Sequence, residues 1–149
     1  MKLVPDAPLR VAAIDLEHIL ATGHPALVVF EAPDCEPCLR LEPVLEELAR
    51  EYRGRALVVR VDSSEGWLAA RHHVAYVPTI TFWRGGEEQA RIRGNPGPAS
   101  VRAHLVALVS GADVPEPAIG SRHALVATFG CAPRRGRPRG LLSGGSAKA

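Results

Sequence analysis

The fold is decided by residues 28–38, which carry the sequence VVFEAPDCEPC. The apolar run ALVVF at residues 26–30 overlaps the start of this stretch, and a compact run of this length is typical of a buried strand. Two cysteines, Cys35 and Cys38, follow at the start of a segment whose apolar residues recur with helical spacing up to Tyr52. The sequence therefore predicts a pair of thiols at the beginning of a helix that directly follows a buried strand.

The placement of the two cysteines indicates redox chemistry. A thiol at a helix N-terminus faces unpaired backbone N–H groups and the positive end of the helix dipole, which favour the thiolate. Because two residues separate the thiols within one helical turn, both sulfurs lie within reach of a disulfide. We expect Cys35, at the exposed end of the helix, to be the attacking thiolate, and Cys38 to be the resolving thiol of a redox-active disulfide.

Two other interpretations of the cysteine pair stay open at this stage. One is half of a zinc site, although a structural zinc site needs four ligands and the sequence has no second CxxC pattern and no HxxxH pattern. The other is a pair of unrelated core cysteines. We expect the redox role and no metal.

The segment around the cysteines alternates between strand and helix patterns. The predicted strands cover residues 9–13, 26–30, 56–62, 79–83 and 89–93, and the predicted helices end at residues 21, 52, 73 and 110. Asp15 is expected to cap the first helix, Pro43 to kink the second, and Gly85-Gly86 to form a hairpin turn. The order β-α-β-α-β-α-β-β-α predicts an α/β fold in which helices flank a small mixed central sheet.

Two separate motifs resemble the thioredoxin family. Residues 28–38, followed by PVLEELA at residues 43–49, resemble the active-site segment of that family. Residues 77–87, VPTITFWRGGE, resemble its cis-proline strand and glycine turn, and the resemblance extends over residues 9–110. It implies a thioredoxin fold and dithiol–disulfide exchange on protein substrates.

The resemblance also assigns a role to residues far from the cysteines. It implies that Pro78 is cis and packs beside the active-site disulfide, and that the backbone of Val77 hydrogen-bonds an extended substrate segment. Without the resemblance, Pro78 indicates only the start of a strand. Pro37, between the two cysteines, is similar to the residue found in reducing members of the superfamily.

At several positions the chain departs from the thioredoxin pattern. The family usually has tryptophan where Asp34 stands and glycine where Glu36 stands. Both carboxylates disfavour the neighbouring thiolate, and their alternative role is to cap the helix and supply a first-turn acid. The buried carboxylate of the family and its partner lysine are replaced by Val29 and Val58. Glu31, on the same strand face as Val29, is a candidate replacement, and a solvated strand-end charge is its alternative role.

Residues 113–149 differ in composition from the segment before them. The first 112 residues carry 12 Lys and Arg against 14 Asp and Glu, whereas residues 113–149 carry 6 against 2. Gly and Pro occupy 10 of these 37 positions, which is typical of a disordered tail. We therefore expect a domain at residues 1–112 and a disordered Gly/Pro/Arg-rich basic tail. Within that tail, residues 124–129 are a candidate edge strand and Cys131 is expected to be an incidental free thiol.

Composition limits the partners and the location of the protein. The acidic balance of residues 1–112 argues against a nucleic-acid-binding domain. No apolar run approaches the ~18 residues that a membrane span needs. Three cysteines are too few for a disulfide-stapled secreted scaffold. We therefore expect a cytoplasmic protein with no nucleic-acid partner and no membrane partner.

These observations favour a protein-disulfide oxidoreductase that works as a reductase, with Cys35 and Cys38 at its redox centre. We expect no cofactor. Its partners are then protein disulfides and an unidentified electron donor, either a thioredoxin-reductase-like protein or a small thiol. The alternative is a non-catalytic thioredoxin-fold adaptor or co-chaperone, which the loss of the buried acid at Val29 favours. A zinc-binding structural domain is the third hypothesis.

Overall fold

The computed structural model describes residues 7–114, which form five strands and four helices. The strands are β1 (Leu9–Val11), β2 (Ala26–Glu31), β3 (Leu57–Asp62), β4 (Thr79–Arg84) and β5 (Glu87–Arg93). The helices are α1 (Ala13–Ala21), α2 (Glu36–Glu51), α3 (Gly66–Arg71) and α4 (Pro98–Ser110). The order of these elements along the chain is the predicted one.

One mixed sheet forms the centre of the molecule, in the order β1-β3-β2-β4-β5. Strand β2 pairs with β3 in parallel, so that Val28 lies opposite Val59, and with β4 in antiparallel, so that Val28 also lies opposite Thr81. Since β2 is central, its residues 26–30 are all buried, as their continuous apolar pattern predicts. The cysteines therefore follow directly after one of the most enclosed strands of the sheet.

Apolar side chains on the two faces of the sheet form two cores. Because successive strand residues point to opposite faces, Leu27 and Val29 join one core while Val28 and Phe30 join the other. The first core includes α2 and α4 residues, and the second includes α1 and α3 residues. This arrangement confirms the predicted α/β fold, in which helices cover both faces of the sheet.

The first helix begins earlier than predicted, and the second contains the proline at which a kink is predicted. Asp15 does not cap α1, because the helix begins at Ala13 and Asp15 lies within its first turn. Helix α2 continues from Glu36 to Glu51 through Pro43, although proline has no N–H to donate within the helix. Helix α2 therefore stays one element and carries the cysteine segment against the sheet.

Two other local features depend on left-handed backbone. Helix α3 ends at Arg71 rather than at His73, because His73 has a φ of 53° and so leaves the helical conformation. The predicted hairpin turn is present, with φ values of 63° and 80° at Gly85 and Gly86. Positive φ at both central residues matches the twist of a two-residue hairpin, and glycine adopts it without steric cost.

The predictions for residues 124–129, for Cys131 and for the basic run at residues 134–139 lie outside the described residues. Within residues 7–114, no helix is long and apolar enough to cross a membrane. The described part of the chain ends at Val114, which packs against the core on the α2 and α4 side of the sheet.

Candidate active site

The two cysteines lie at the beginning of α2 and are joined by a disulfide. Cys35 is the N-cap residue of the helix, with extended backbone, and its Sγ accepts a hydrogen bond from the backbone N–H of Cys38 at 3.3 Å. The two Cα atoms are 5.3 Å apart. The backbone N–H of Cys38, in the first turn of α2, therefore points toward the sulfur of Cys35, where a thiolate gains from the helix terminus.

Both cysteines are buried, so the expectation of an exposed Cys35 was wrong for this state. Cys35 is 1% exposed and Cys38 is 3% exposed. The reason is tertiary, because both residues belong to the apolar cluster that also contains Val74 and Val77 from the segment before β4. Exposure therefore does not distinguish the two sulfurs, whereas the hydrogen bond at the N-cap does.

A cleft of about 300 Å³ borders the disulfide. Cys35 and Cys38 both line it, together with Leu39 of α2. Its other walls carry charged side chains from the ends of three strands and from the loop before α2: Arg10, Glu31, Asp34, Arg60 and Asp62. The cysteines thus face a polar cleft on one side and an apolar cluster on the other.

A network of four charges crosses this region of the sheet. Arg60 is 5% exposed, and its Nε and Nη2 donate to Glu31 Oε2 at 3.1 and 3.0 Å. Its Nη1 donates to Glu42 Oε1 at 2.8 Å, and Arg10 also donates to Glu42 at 3.1 Å. We call Arg10, Glu31, Glu42 and Arg60 the charge network. It ties β1, β2 and β3 to α2, the helix that carries the cysteines.

The charge network shifts the pKa values of two of its members. The hydrogen bond from Arg60 lowers the pKa of Glu42, and the positive charges of Arg60 and Arg10 lower it further. Burial opposes the charged form of Arg60, but hydrogen bonds to Glu42 and Glu31 outweigh burial and raise its pKa. Both residues are therefore charged at neutral pH.

The Val77–Pro78 peptide bond is cis, as the resemblance implied. Val77 is fully buried and shares the apolar cluster of the two cysteines, so the segment before β4 packs beside the disulfide. The carbonyl of Pro78 accepts a hydrogen bond from the N–H of Gly94 at 2.7 Å. The hydroxyl of Thr79 donates to the carbonyl of Tyr76 at 2.5 Å, which fixes the other side of the proline.

The family model for thioredoxin matches residues 10–107. The chain belongs to the thioredoxin family. This confirms the family that the two motifs predicted, and it explains why the cysteine helix and the cis-proline segment occur together.

Individual thioredoxins are similar to part of the chain. An M-type chloroplastic thioredoxin of Spinacia oleracea is 35% identical over 79 residues, which cover 52% of this chain and 44% of that protein. Thioredoxin 1 of a Nostoc strain is 33% identical over 79 residues, covering 52% of this chain and 74% of that protein. The match therefore spans less than half of the spinach relative.

A solved structure of a mutant thioredoxin from Halobacterium salinarum has the same fold. Its TM-score is 0.64 at 28% identity, and the match covers 78% of this chain and all of that one. The likeness therefore extends over the whole of that thioredoxin chain.

The two carboxylates that depart from the thioredoxin pattern differ in their surroundings. Asp34 has a φ of 58° and lines the cleft beside Cys35, and it does not cap α2, because Cys35 does. Glu36 lies in the first turn of α2, where its side chain is exposed and pairs with Arg40 at 3.3 Å. Of these two carboxylates, only Asp34 lines the cleft, and Glu36 shares its charge with Arg40.

Sequence reasoning missed the partner of Glu31. The departures from the thioredoxin pattern include the loss of the lysine at Val58, whereas the gain of Arg60, two residues further along β3, was not predicted. The signal was present, because an arginine inside an apolar strand pattern needs a carboxylate on the same face. Sequence reasoning also missed His104, which is buried against Phe82 at a ring-centroid distance of 5.1 Å.

Within the part of the chain that the structure describes, no group of three or more His, Cys, Asp or Glu side chains is arranged to hold a metal ion. Cys35 and Cys38, the candidate zinc ligands, are joined to each other. His72 is buried and its Nε2 lies 2.9 Å from Glu17 Oε1, so its ring is used in a contact between α3 and α1.

Proposed function

We propose that this thioredoxin-family protein is a thiol–disulfide oxidoreductase that reduces disulfides in other proteins. The observation that carries the proposal is the Cys35–Cys38 pair at the start of α2, with the Sγ of Cys35 accepting a backbone hydrogen bond. The same groups that hold this sulfur in the disulfide stabilise it as a thiolate after reduction. The fold and the thioredoxin relatives support the same activity.

The reaction proceeds by two exchanges at sulfur. In the reduced protein the Cys35 thiolate attacks one sulfur of a substrate disulfide, forming a mixed disulfide and releasing the other substrate sulfur as a thiolate. Cys38 then loses its proton and attacks the Sγ of Cys35, which forms the Cys35–Cys38 disulfide and releases the second substrate thiolate. Two electrons pass from the dithiol to the substrate, and each released thiolate takes up a proton.

Val77 and Pro78 are the proposed substrate-binding residues. Val77 packs in the same cluster as the cysteines, so its backbone is held close to the reacting sulfurs. An extended substrate segment that pairs with this backbone would place its own disulfide over Cys35. Asp34 and Glu36 are proposed to make the Cys35 thiolate harder to form, and Asp34 has the larger effect because Glu36 pairs with Arg40.

The proposed electron donor is a thioredoxin-reductase-type protein or a small thiol. A Mycobacterium leprae protein named bifunctional thioredoxin reductase/thioredoxin is 35% identical over 88 residues, 19% of its length. In that protein, as its name says, the two activities share one chain. We propose a cytoplasmic location, a role in cell redox homeostasis and no membrane partner. We also propose no nucleic-acid partner, because residues 1–112 carry more acidic than basic side chains.

A non-catalytic adaptor is the second candidate, favoured by one observation. Val29, at the position of the acid in the family, is fully buried in an apolar cluster and offers no proton acceptor. An adaptor would use the cleft and the cis-proline segment to bind a partner without turnover.

Reduction of insulin with dithiothreitol as electron donor separates the two candidates. We expect the wild-type protein to accelerate the precipitation of reduced insulin, and Cys35→Ser to abolish the acceleration. Cys131→Ser is the matched control, because it removes a thiol outside the described domain and is expected to keep full activity. An inactive wild-type protein that is folded and reduced would favour the adaptor, and metal analysis of the reduced protein tests the zinc hypothesis.

A further inference from the structure

Glu31 is the carboxylate of the charge network that lines the cleft with both cysteines. Its side chain is only 12% exposed. Both hydrogen bonds from Arg60 go to its Oε2, whereas its Oε1 has only Arg10 nearby, at 3.8 Å, among the residues that the structure describes. Arg60 therefore fixes the carboxylate through one oxygen and leaves the other able to accept a hydrogen bond.

The position of this pair on the sheet places it on the side that α2 covers, and the cleft, rather than a shared apolar cluster, connects it to the cysteines. Val29 and Val58 are buried in the core on the α2 side, and Glu31 and Arg60 stand two residues further along the same two strands. A step of two residues keeps a side chain on the same face of the sheet. The carboxylate therefore lies on the α2 side, at the strand end from which the chain leads into the cysteine loop.

The charges around this carboxylate come from every neighbouring element. Strand β1 contributes Arg10, β3 contributes Arg60 and Asp62, the loop before α2 contributes Asp34, and α2 contributes Glu42. Counting Glu31 itself, this region holds four carboxylates and two guanidinium groups, and of the four carboxylates Glu31 and Glu42 pair with the guanidinium groups.

Resolution of a mixed disulfide requires a proton acceptor at this place. Cys38 attacks only as a thiolate, yet it is buried and, unlike Cys35, is not the N-cap residue whose sulfur accepts a backbone N–H. A cleft of about 300 Å³ with polar walls has room for water molecules that connect a thiol to a nearby carboxylate.

We propose that Glu31 is the proton acceptor for resolution. Its Oε1 accepts the Cys38 proton through water in the cleft, while Arg60 holds the carboxylate in place. Cys38 then attacks the Sγ of Cys35, the bond between Cys35 and the substrate sulfur breaks, and the electron pair leaves on that sulfur. The released substrate thiolate takes the proton back from Glu31. No electron donor beyond the dithiol itself is needed for this half-reaction.

This inference rests on the proposed function, and a two-step assay separates them. Reduced protein in a Cys131→Ser background is mixed with an aromatic disulfide whose thiolate absorbs light, in stopped flow. The first equivalent of aromatic thiolate reports attack by Cys35, and the second reports resolution by Cys38. The variants are Glu31→Gln and the matched control Glu42→Gln. The control also removes a carboxylate that pairs with Arg60, but Glu42 does not line the cleft.

We expect Glu31→Gln to slow the second equivalent at pH 7 by at least about tenfold, as for loss of a general base, and to leave the first within about twofold. The defect should fade above about pH 9, where a thiol ionises unaided. Glu42→Gln should slow the second equivalent by less than about threefold at every pH, and Glu31→Asp should recover part of the rate.

The double variant with Arg60→Gln and Glu31→Gln tests whether the defect of Glu31→Gln comes only from leaving Arg60 without its Glu31 partner. We expect this neutral double variant to stay slow, because the carboxylate is still missing. Recovery of the wild-type rate in the double variant, or equal and pH-independent defects in Glu31→Gln and Glu42→Gln, would overturn the inference. Loss of the first equivalent in the wild-type protein would instead overturn the proposed function.

Discussion

Val29 is buried in the core on the α2 side of the sheet, at the position where the thioredoxin family has a carboxylate. We expect Val29→Asp to destabilise the protein by about 3–5 kcal/mol at pH 7, because Arg60 is already shared by Glu31 and Glu42 and cannot compensate the charge. Val29→Ala, the control, leaves only a cavity and costs about 2 kcal/mol.

The difference between these two variants should depend on pH. Burial raises the pKa of the introduced acid above its unfolded value of about 4, so its extra destabilisation is full above the folded pKa and lost below the unfolded one. Denaturant unfolding at pH 7 and pH 4 measures it. A difference that stays constant between the two pH values would show that the charge is not buried.

Asp34 is expected to act on the Cys35 thiolate more strongly than Glu36. We expect Asp34→Asn to lower the pH midpoint of thiolate formation by about 0.5–1 unit, as Coulomb repulsion over a few ångströms predicts, and Glu36→Gln to lower it less. Asparagine is the suitable replacement, because it tolerates the left-handed φ of 58° and tryptophan does not. Ultraviolet thiolate absorbance against pH measures the midpoint, and equal shifts would contradict the role of Arg40 as a shield.

The sequence predicted the position of the two cysteines at the residue scale, but not their burial. The N-cap position follows from local pattern alone, since a strand run is followed by helical spacing. The burial of Cys35 depends on Val77, which is distant in sequence and packs against it only in the folded chain. The pairing of Glu31 with Arg60 likewise depends on the register of β2 and β3.

Helices α1 and α3 are joined by Glu17, which contacts Arg71 at 2.8 Å and His72 at 2.9 Å. The hydrogen bond from Arg71 lowers the pKa of Glu17, although burial opposes this, and His72 adds to the lowering. Because the folded pKa is depressed, the contact stabilises the protein above the unfolded value of 4.5 and is lost as the pH falls through the folded value.

We expect Glu17→Gln to lower the melting temperature by about 1–3 °C at pH 7, a small effect because water screens the half-exposed pair. The difference from wild type should shrink as the pH falls below the unfolded value of 4.5 and through the depressed folded value. Glu46→Gln, which changes an exposed carboxylate on α2, is the control and should change the melting temperature by less than about 1 °C. A difference that grows as the pH falls would contradict the sign of the pKa shift.

At the scale of elements, periodicity predicted every strand and helix of the described chain but not all of their ends. The helix ends are decided by backbone geometry that apolar spacing does not contain, such as the left-handed φ of His73 after α3. The start of α1 at Ala13 shows the same limit, because Asp15 is a good N-cap residue but the chain already turns helical before it.

The whole molecule is expected to fold without residues 115–149. The described chain ends at Val114, which packs against the core, and Arg84 donates to the carbonyls of Leu108 and Ala112, so the end of α4 is anchored. We expect a chain ending at Val114 to keep its insulin-reducing rate within about twofold and its melting temperature within a few degrees. A large loss of stability would place residues 124–129 against the sheet.

Covalent trapping of a substrate tests the central claim, dithiol–disulfide exchange led by Cys35, most directly. Cys38→Ser keeps the attacking sulfur and loses the resolving one, so it should accumulate a mixed disulfide with a disulfide-bonded protein such as insulin, reversible by dithiothreitol and visible by intact mass. Cys35→Ser should trap none under the same conditions. Trapping by Cys35→Ser and not by Cys38→Ser would reverse the two roles, and trapping by neither would contradict exchange chemistry at this site.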